Sequence, residues 1–398
     1  MHLRSTAVVL AIAALCPVAA QAGETGPSMF SFSGFGTLGA VHSDEKKADY
    51  VGSVFQPNGA GRTRSVDYGV DSKLGAQVNA RFTDKLSGVV QVIAQHQYDN
   101  SSSPRVEWAN LKYQLTPEFS ARVGRIVMPT LMVSDSRMVG YANHWVRPPQ
   151  EVYTVAAITS NDGIDATYRS QIGSANNTLN AFYGTSTARL PSGSAESDPS
   201  WGVNNTVQIG SLTLRAGIVQ TKLTLDVAQM NPLIAGLAMV SPALAQKYKL
   251  DGMSVGSTTL GAMYDPGDWF VMAEFAALRG DGLMADSRAW YASGGYRFGA
   301  FTPYVTYAQV KASIEAEPVI PGAEALIGGL NAAKHLMNGV QNSFSLGMRW
   351  DFMPSAALKL QYDRLDIGTN SSGRLTNAAP DFQPGKVNVV SVAVDFVF

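Results

Sequence analysis

The stretch Val387-Asn-Val-Val-Ser-Val-Ala-Val-Asp-Phe-Val-Phe398 decides the fold class. Val390, Val392, Val394, Phe396 and Phe398 fall on one face, while Ser391, Ala393 and Asp395, with Val397, fall on the other. A two-residue period marks an extended strand with two different faces. Its length of about ten residues is what a tilted strand needs to cross a bilayer. The pattern recurs in Leu74, Ala76, Val78, Ala80 and Phe82, opposed by Lys73, Gln77, Asn79 and Arg81. It recurs again in Phe344, Leu346, Met348, Trp350 and Phe352, opposed by Ser343, Ser345, Arg349 and Asp351. Strands of a soluble sandwich alternate too, so the connections must decide.

Sixteen such segments lie near 30–41, 66–82, 87–98, 105–115, 119–125, 163–170, 177–184, 201–209, 212–222, 255–264, 269–279, 288–298, 301–311, 341–352, 356–366 and 387–398. Short connections such as Thr116-Pro117-Glu118, Gly210-Ser211 and Asp265-Pro266-Gly267-Asp268 alternate with long ones at 42–65, 126–162, 185–200, 223–254, 312–340 and 367–386. Short turns at one rim and long loops at the other are the pattern of an outer-membrane barrel. Aromatic residues add an independent sign. Phe82, Tyr113, Phe119, Tyr168, Trp269, Phe298, Phe301, Trp350, Phe352 and Phe398 all sit beside the short turns. At that level they form an interfacial girdle. The expected fold is therefore all-β, a sixteen-stranded antiparallel transmembrane barrel with short periplasmic turns and long external loops.

Composition agrees. Charged residues make up 15% of the 398-residue chain, against roughly 25% in soluble domains. That excludes a disordered chain. With 1 cysteine, a disulfide scaffold or a cysteine zinc module is excluded. The balance of 30 basic to 31 acidic residues speaks against nucleic acid as a partner. Residues 1–22 read as a secretory signal. Arg4 supplies the positive start, Ala7 to Leu15 the apolar run, and Ala20-Gln21-Ala22 the cleavage site. Cys16 lies inside that segment, and Leu15 before it does not suit lipidation. The domain plan is thus a signal peptide over 1–22 and a barrel over 23–398. No later apolar run is long enough for a membrane helix.

Several motifs carry no chemistry here. Gly34-Phe-Gly36-Thr-Leu-Gly39 has the spacing of a dinucleotide loop, but it lacks the preceding strand, following helix and downstream acid that such a loop requires. In a barrel strand these glycines permit close backbone approach. His42, His96, His144 and His335 form no metal-ligand spacing, and no G-x-S-x-G occurs. No cofactor, metal or catalytic residue is expected, and the chain reads as a channel rather than an enzyme.

At this point the sequence resembles the trimeric sixteen-stranded general porins of Gram-negative outer membranes. The matching patches are Ser31-Phe-Ser-Gly-Phe-Gly-Thr-Leu-Gly-Ala40, Asn110-Leu-Lys-Tyr113, Val123-Gly124-Arg125, Gly163-Ile-Asp-Ala-Thr-Tyr-Arg169 and Phe398. The resemblance implies a homotrimer set in lipid and lipopolysaccharide, with Phe398 read by the barrel-insertion machinery. It also implies a third loop, 126–162, folded into the lumen as a constriction for ions and small hydrophilic solutes. The chain departs from the family in lacking Pro-Glu-Phe-Gly-Gly in that loop, and in having Asn161 where a basic residue is common. A substrate-selective channel is the closest alternative. A barrel-anchored adhesin or enzyme is more distant.

Strand parity sends Lys73, Arg81, Lys112, Arg122, Arg169, Arg215, Arg297, Arg349 and Lys359 inward, against Asp71, Asp165, Glu274, Asp351, Asp363 and Asp395. That is a basic lean. The candidate lining comprises Lys73, Lys112, Arg122 and Arg169 on the wall, with Asp135, Arg137, Asn143, Arg147 and Glu151 on the loop. Arg137, Asn143 and Arg147 are expected to face the opening. Parity turns Arg125 toward lipid. The resemblance places it in the constriction, which requires the strand to end or bulge at Gly124. The apolar stretches 226–249 and 317–338 suit short helices or packing over the mouth.

Overall fold

The structure, a computed structural model, describes residues 28–398 apart from 285, 314 and 338. The expected signal segment, 1–22, lies outside the described residues. The chain begins with β1 (Phe30–Ser43), β2 (Lys73–Arg81), β3 (Leu86–Gln95), β4 (Arg105–Gln114), β5 (Phe119–Val127) and β6 (Ser160–Ile172). It continues with β7 (Ala175–Leu190), β8 (Gly193–Ile209), β9 (Leu212–Asp226), β10 (Met253–Tyr264) and β11 (Trp269–Gly280). It ends with β12 (Ser287–Tyr296), β13 (Phe301–Ala312), β14 (Gln341–Met353), β15 (Ala356–Ile367) and β16 (Lys386–Val397). Each strand pairs antiparallel with its neighbours in sequence, and β1 pairs with both β2 and β16, closing the barrel. Closure is what lets a sheet cross hydrocarbon, because every backbone polar group then has a partner. No helix among the described residues is long and apolar enough to cross a membrane.

The parity follows the sequence. On β16, Val390 and Val392 are exposed, while Ser391, Ala393 and Asp395 are buried toward the interior. Nine of the ten girdle aromatics, all but Phe119, are exposed on the outer face. At the seam, Gly34 N–H donates to Phe398 O at 2.8 Å and Phe398 N–H to Gly34 O at 3.0 Å. The Phe398 ring lies so close over Gly34 that a Cβ there would fall 2.2 Å from it, and Phe396 covers Gly36 in the same way. The glycine spacing thus serves the seam. Deleting Phe398 removes both hydrogen bonds and the ring that covers β1. Outer-membrane levels of that variant should fall several-fold while synthesis and export persist, as read by immunoblot of membrane fractions. Wild-type levels would show that the seam closes without it.

Two boundaries differ from expectation. The stretch 185–200 is not a loop. β7 and β8 form a tall hairpin that turns at Pro191-Ser192, with Leu190 opposite Gly193. Its Pro, Gly and Ser content imitates a loop. Pro199, however, sits in a register shift between Ser197 and Ser200, where no ladder N–H is needed. The segment 66–82 begins as strand only at Lys73, and Val66–Asp67 forms a separate two-residue pairing with β1.

Over the mouth, α2 (Asn231–Val240), α3 (Pro242–Lys247) and α4 (Glu324–Met337) occupy the apolar loops. Leu237, Tyr248, Leu283, Ile327 and Leu330 form their shared core. Glu317 accepts from Lys247 Nζ at 2.6 Å and from the Tyr248 hydroxyl, and these bonds hold its carboxyl below the usual range.

Candidate channel constriction

Between β5 and β6 the connection expected at 126–162 enters the barrel and follows its inner wall. Arg215 on β9 donates to Pro129 O at 2.6 Å, and the Thr259 hydroxyl on β10 donates to Thr130 O at 2.8 Å. Glu274 on β11 accepts from Met132 N–H at 2.7 Å, from the Tyr153 hydroxyl at 2.6 Å and from the Tyr291 hydroxyl at 2.7 Å. Trp145 Nε1 donates to Thr306 Oγ1 on β13 at 3.0 Å. Val146 N–H donates to Gln361 on β15 at 3.0 Å. Arg349 Nη1 on β14 donates to Asn143 O at 2.8 Å. The loop's Leu131, Trp145, Val152 and Tyr153 pack on Phe270, Met272, Tyr291, Tyr304, Ala308 and Val310. Its apolar content therefore meets an apolar section of wall, and burying that area holds it inside.

Two buried charge clusters fix the far end. Arg147 is 7% exposed. It makes a bidentate contact to Asp71 at 2.9 and 2.6 Å, and also reaches Ser391 at 2.6 Å, the Tyr50 hydroxyl at 2.9 Å and Asp363 at 3.3 Å. Burial opposes its charge, but Asp71, Tyr50 and Asp363 outweigh burial and hold the guanidinium well above its usual range. Lys359 and Asp395, both fully buried, pair at 2.7 Å. Lys359 Nζ also donates to Gly140 O at 2.7 Å and Trp145 O at 2.8 Å. A Cβ on Gly140 would fall 2.1 Å from Asp395 Oδ1 and 2.6 Å from Thr37 Oγ1, so only glycine allows this approach. The short helix α1 (Gln150–Tyr153) returns the chain toward β6.

The candidate residues separate into three groups. Lys73, Lys112 and Arg169 keep their inward parity and form no ion pair among the described residues. Arg122 pairs with Asp165 on the neighbouring strand, with Nε at 3.0 Å from both carboxylate oxygens. Asp135 is exposed on the loop, and its field reaches Arg122 and Arg215. Arg137 donates to Ala156 O at 2.7 Å and lies over the Tyr153 ring.

Two expectations fail, and the bulge expected at Gly124 is absent. Asn143 is 4% exposed and donates to Ser136 O and Val139 O, so it braces the loop rather than facing the opening. Arg147 likewise turns to the wall, where carboxylates repay its burial. Arg125 does not enter through a bulge: β5 runs on to Val127 with no register shift at Gly124. It keeps the parity of Val123 and pairs with Asp162 at 2.6 Å. Glu151, also buried, accepts from Gln341 Nε2 at 2.7 Å. Gly140 was not singled out by sequence, and parity placed Lys359 and Asp395 inward without showing that they pair. The inward parity of Phe270, Tyr291 and Tyr304 was the available sign, since aromatics do not suit a bare aqueous wall.

The pairing changes the charge count of the wall. Asp165, Asp351, Asp363 and Asp395 are each ion-paired, Asp71 pairs with Arg147, and Glu274 is saturated by hydrogen bonds. Lys73, Arg81, Lys112, Arg169 and Arg215 have no carboxylate partner among the described residues.

A closed barrel with an apolar outer band, an aromatic girdle and a polar lumen crossed by an inserted loop defines an outer-membrane channel. A family model described as Gram-negative porin matches residues 6–370, and the chain belongs to that family. It is similar to the outer membrane channel DcaP of Acinetobacter baumannii, with 15% identity, 93% of this chain and 97% of that one covered, and a TM-score of 0.57. It is similar to an anion-selective porin from Comamonas acidovorans, with 12% identity, 93% and 99% covered, and a TM-score of 0.55. It is also similar to a trimer form of in-vitro folded OmpT of Vibrio cholerae, with 14% identity, 93% and 100% covered, and a TM-score of 0.52. No curated protein matched the sequence. The protein is a multi-pass outer-membrane β-barrel that forms a water-filled channel for passive diffusion of ions and small hydrophilic solutes.

Proposed function

We propose that residues 126–162 form the constriction of this porin, and that the constriction favours anions. The carrying observation is the imbalance on the wall: the inward acids are paired or saturated, while Lys73, Arg81, Lys112, Arg169 and Arg215 are not. Unpaired cations in a narrow aqueous passage concentrate anions over a distance of about 8 Å at physiological salt. The anion selectivity stated for the similar Comamonas porin supports the same reading. Transport is by diffusion through size and field, with no chemical step. Residues 1–22 serve as the export signal.

The working unit is a homotrimer in lipid and lipopolysaccharide. The similarity to a trimer form of in-vitro folded OmpT of Vibrio cholerae supports it. Arg288 and Lys311, exposed and directly opposed on β12 and β13 near the loop rim, suit lipopolysaccharide phosphates.

The test is the zero-current potential in a salt gradient. Lys73→Gln with Lys112→Gln should lower the anion-to-cation permeability ratio by roughly twofold at low salt, and by less at 1 M, where screening shortens to about 3 Å. An unchanged ratio at low salt would remove these residues from the selecting region.

A further inference from the structure

On the loop side of the constriction the lumen holds a cavity of about 480 Å³. Met128, Ile158, Val219, Leu223 and Val255 are among its walls, and the loops carrying α2 and α4 reach over it. Barrel closure does not require this apolarity, since porin interiors are ordinarily polar. Arg374 is the one charged residue among those lining it. Its Nε has no hydrogen-bond partner, and its guanidinium forms no ion pair among the described residues. Burial pushes it down to about 10, with Glu151 opposing. A second chamber of about 260 Å³ adjoins the first and shares Phe55, Thr154, Ala157, Ile158 and Ala188 with it. Among the residues lining that chamber are Lys73, Arg105 and Arg137, none of them ion-paired, together with Arg125, which pairs with Asp162, Asp71, which Arg147 neutralises, and Glu107, which accepts from the Thr159 hydroxyl at 2.5 Å.

We propose that these adjoining chambers form a binding site for small amphipathic organic anions, with the apolar body and its carboxylate in the first, the carboxylate at Arg374, and the cations of the second adding to the attraction. This rests on the channel reading above and adds a ligand class to it. A hydrophilic anion gains nothing from Leu223 and Val255. A neutral apolar solute gains nothing from unpaired cations, and an amphipathic cation is repelled by them. An anion with an apolar tail gains from both.

The experiment uses single channels of the full protein in chloride, with acetate, hexanoate and hexylammonium added in turn. Burial of methylenes tightens binding by about fourfold each. Hexanoate should therefore interrupt the chloride current at a concentration at least about tenfold below that of acetate, and hexylammonium should not block in that range. Leu223→Asn with Val255→Thr should raise the hexanoate concentration toward that of acetate and leave chloride conductance unchanged. Arg374→Gln should weaken hexanoate about tenfold, the loss expected for a hydrogen bond to a charged group. Equal blocking by hexanoate and acetate, or by hexanoate and hexylammonium, overturns the site while the chloride channel stands. The wild-type comparison decides by itself if a variant fails to assemble. Absence of chloride channels would instead overturn the channel reading.

Discussion

Excising Ser134 to Gln150 should raise single-channel conductance roughly twofold and admit larger sugars, since a sixteen-stranded barrel without an insert leaves a wide aqueous bore. The segment removed carries Trp145, Arg147 and the Gly140 contact, which together hold the loop against β12–β16 and Asp71. The barrel should persist, because the ladder between β5 and β6 is independent of the loop. Retention of the heat-modifiable folded band separates the widened channel from a damaged one. Wild-type conductance with that band intact would mean that the segment does not narrow the pore.

Replacing Arg147 alone should have the largest effect on stability of any single change in the loop. Arg147→Met leaves Asp71 and Asp363, each about as buried as their partner, without a counter-charge. Breaking a buried ion pair from one side costs about 3–5 kcal/mol. The folded band should convert at a lower temperature, and the open channel should become noisy as the loop leaves the wall. Adding Asp71→Asn to the Met variant should recover part of the loss, because one stranded charge is then removed. A melting temperature equal to wild type would show that the cluster does not hold the loop.

The barrel was legible because its physics is local. A strand between lipid and water must alternate at every second residue, and Leu74 to Phe82 or Val390 to Phe398 do so without help from distant contacts. The aromatic girdle is legible for the same reason. The β7–β8 hairpin was not, because Pro191, Gly193 and Pro199 are turn formers that a bulged, loop-side hairpin tolerates. The lining was half legible. Parity placed Lys73, Lys112, Arg122 and Asp165 inward, but parity cannot say which of them pair. Arg147 and Asn143 read as polar residues facing water, and only the register of distant strands brings Asp71, Asp363 and Ser391 around Arg147. The bulge expected at Gly124 failed for a related reason: Asp162 opposes Arg125 on β6 and pairs with it in an unbroken register.

The central claim is that the connection between β5 and β6 lies in the lumen and borders the ion path. Asp135 is its exposed acid, and Cys16 is the chain's one cysteine, inside the expected export signal. The direct measurement is the conductance of single Asp135→Cys channels before and after reaction with a bulky, uncharged thiol reagent. The account predicts a stepwise fall in chloride conductance as each thiol reacts, through lost volume. Full modification by mass with conductance unchanged would contradict it.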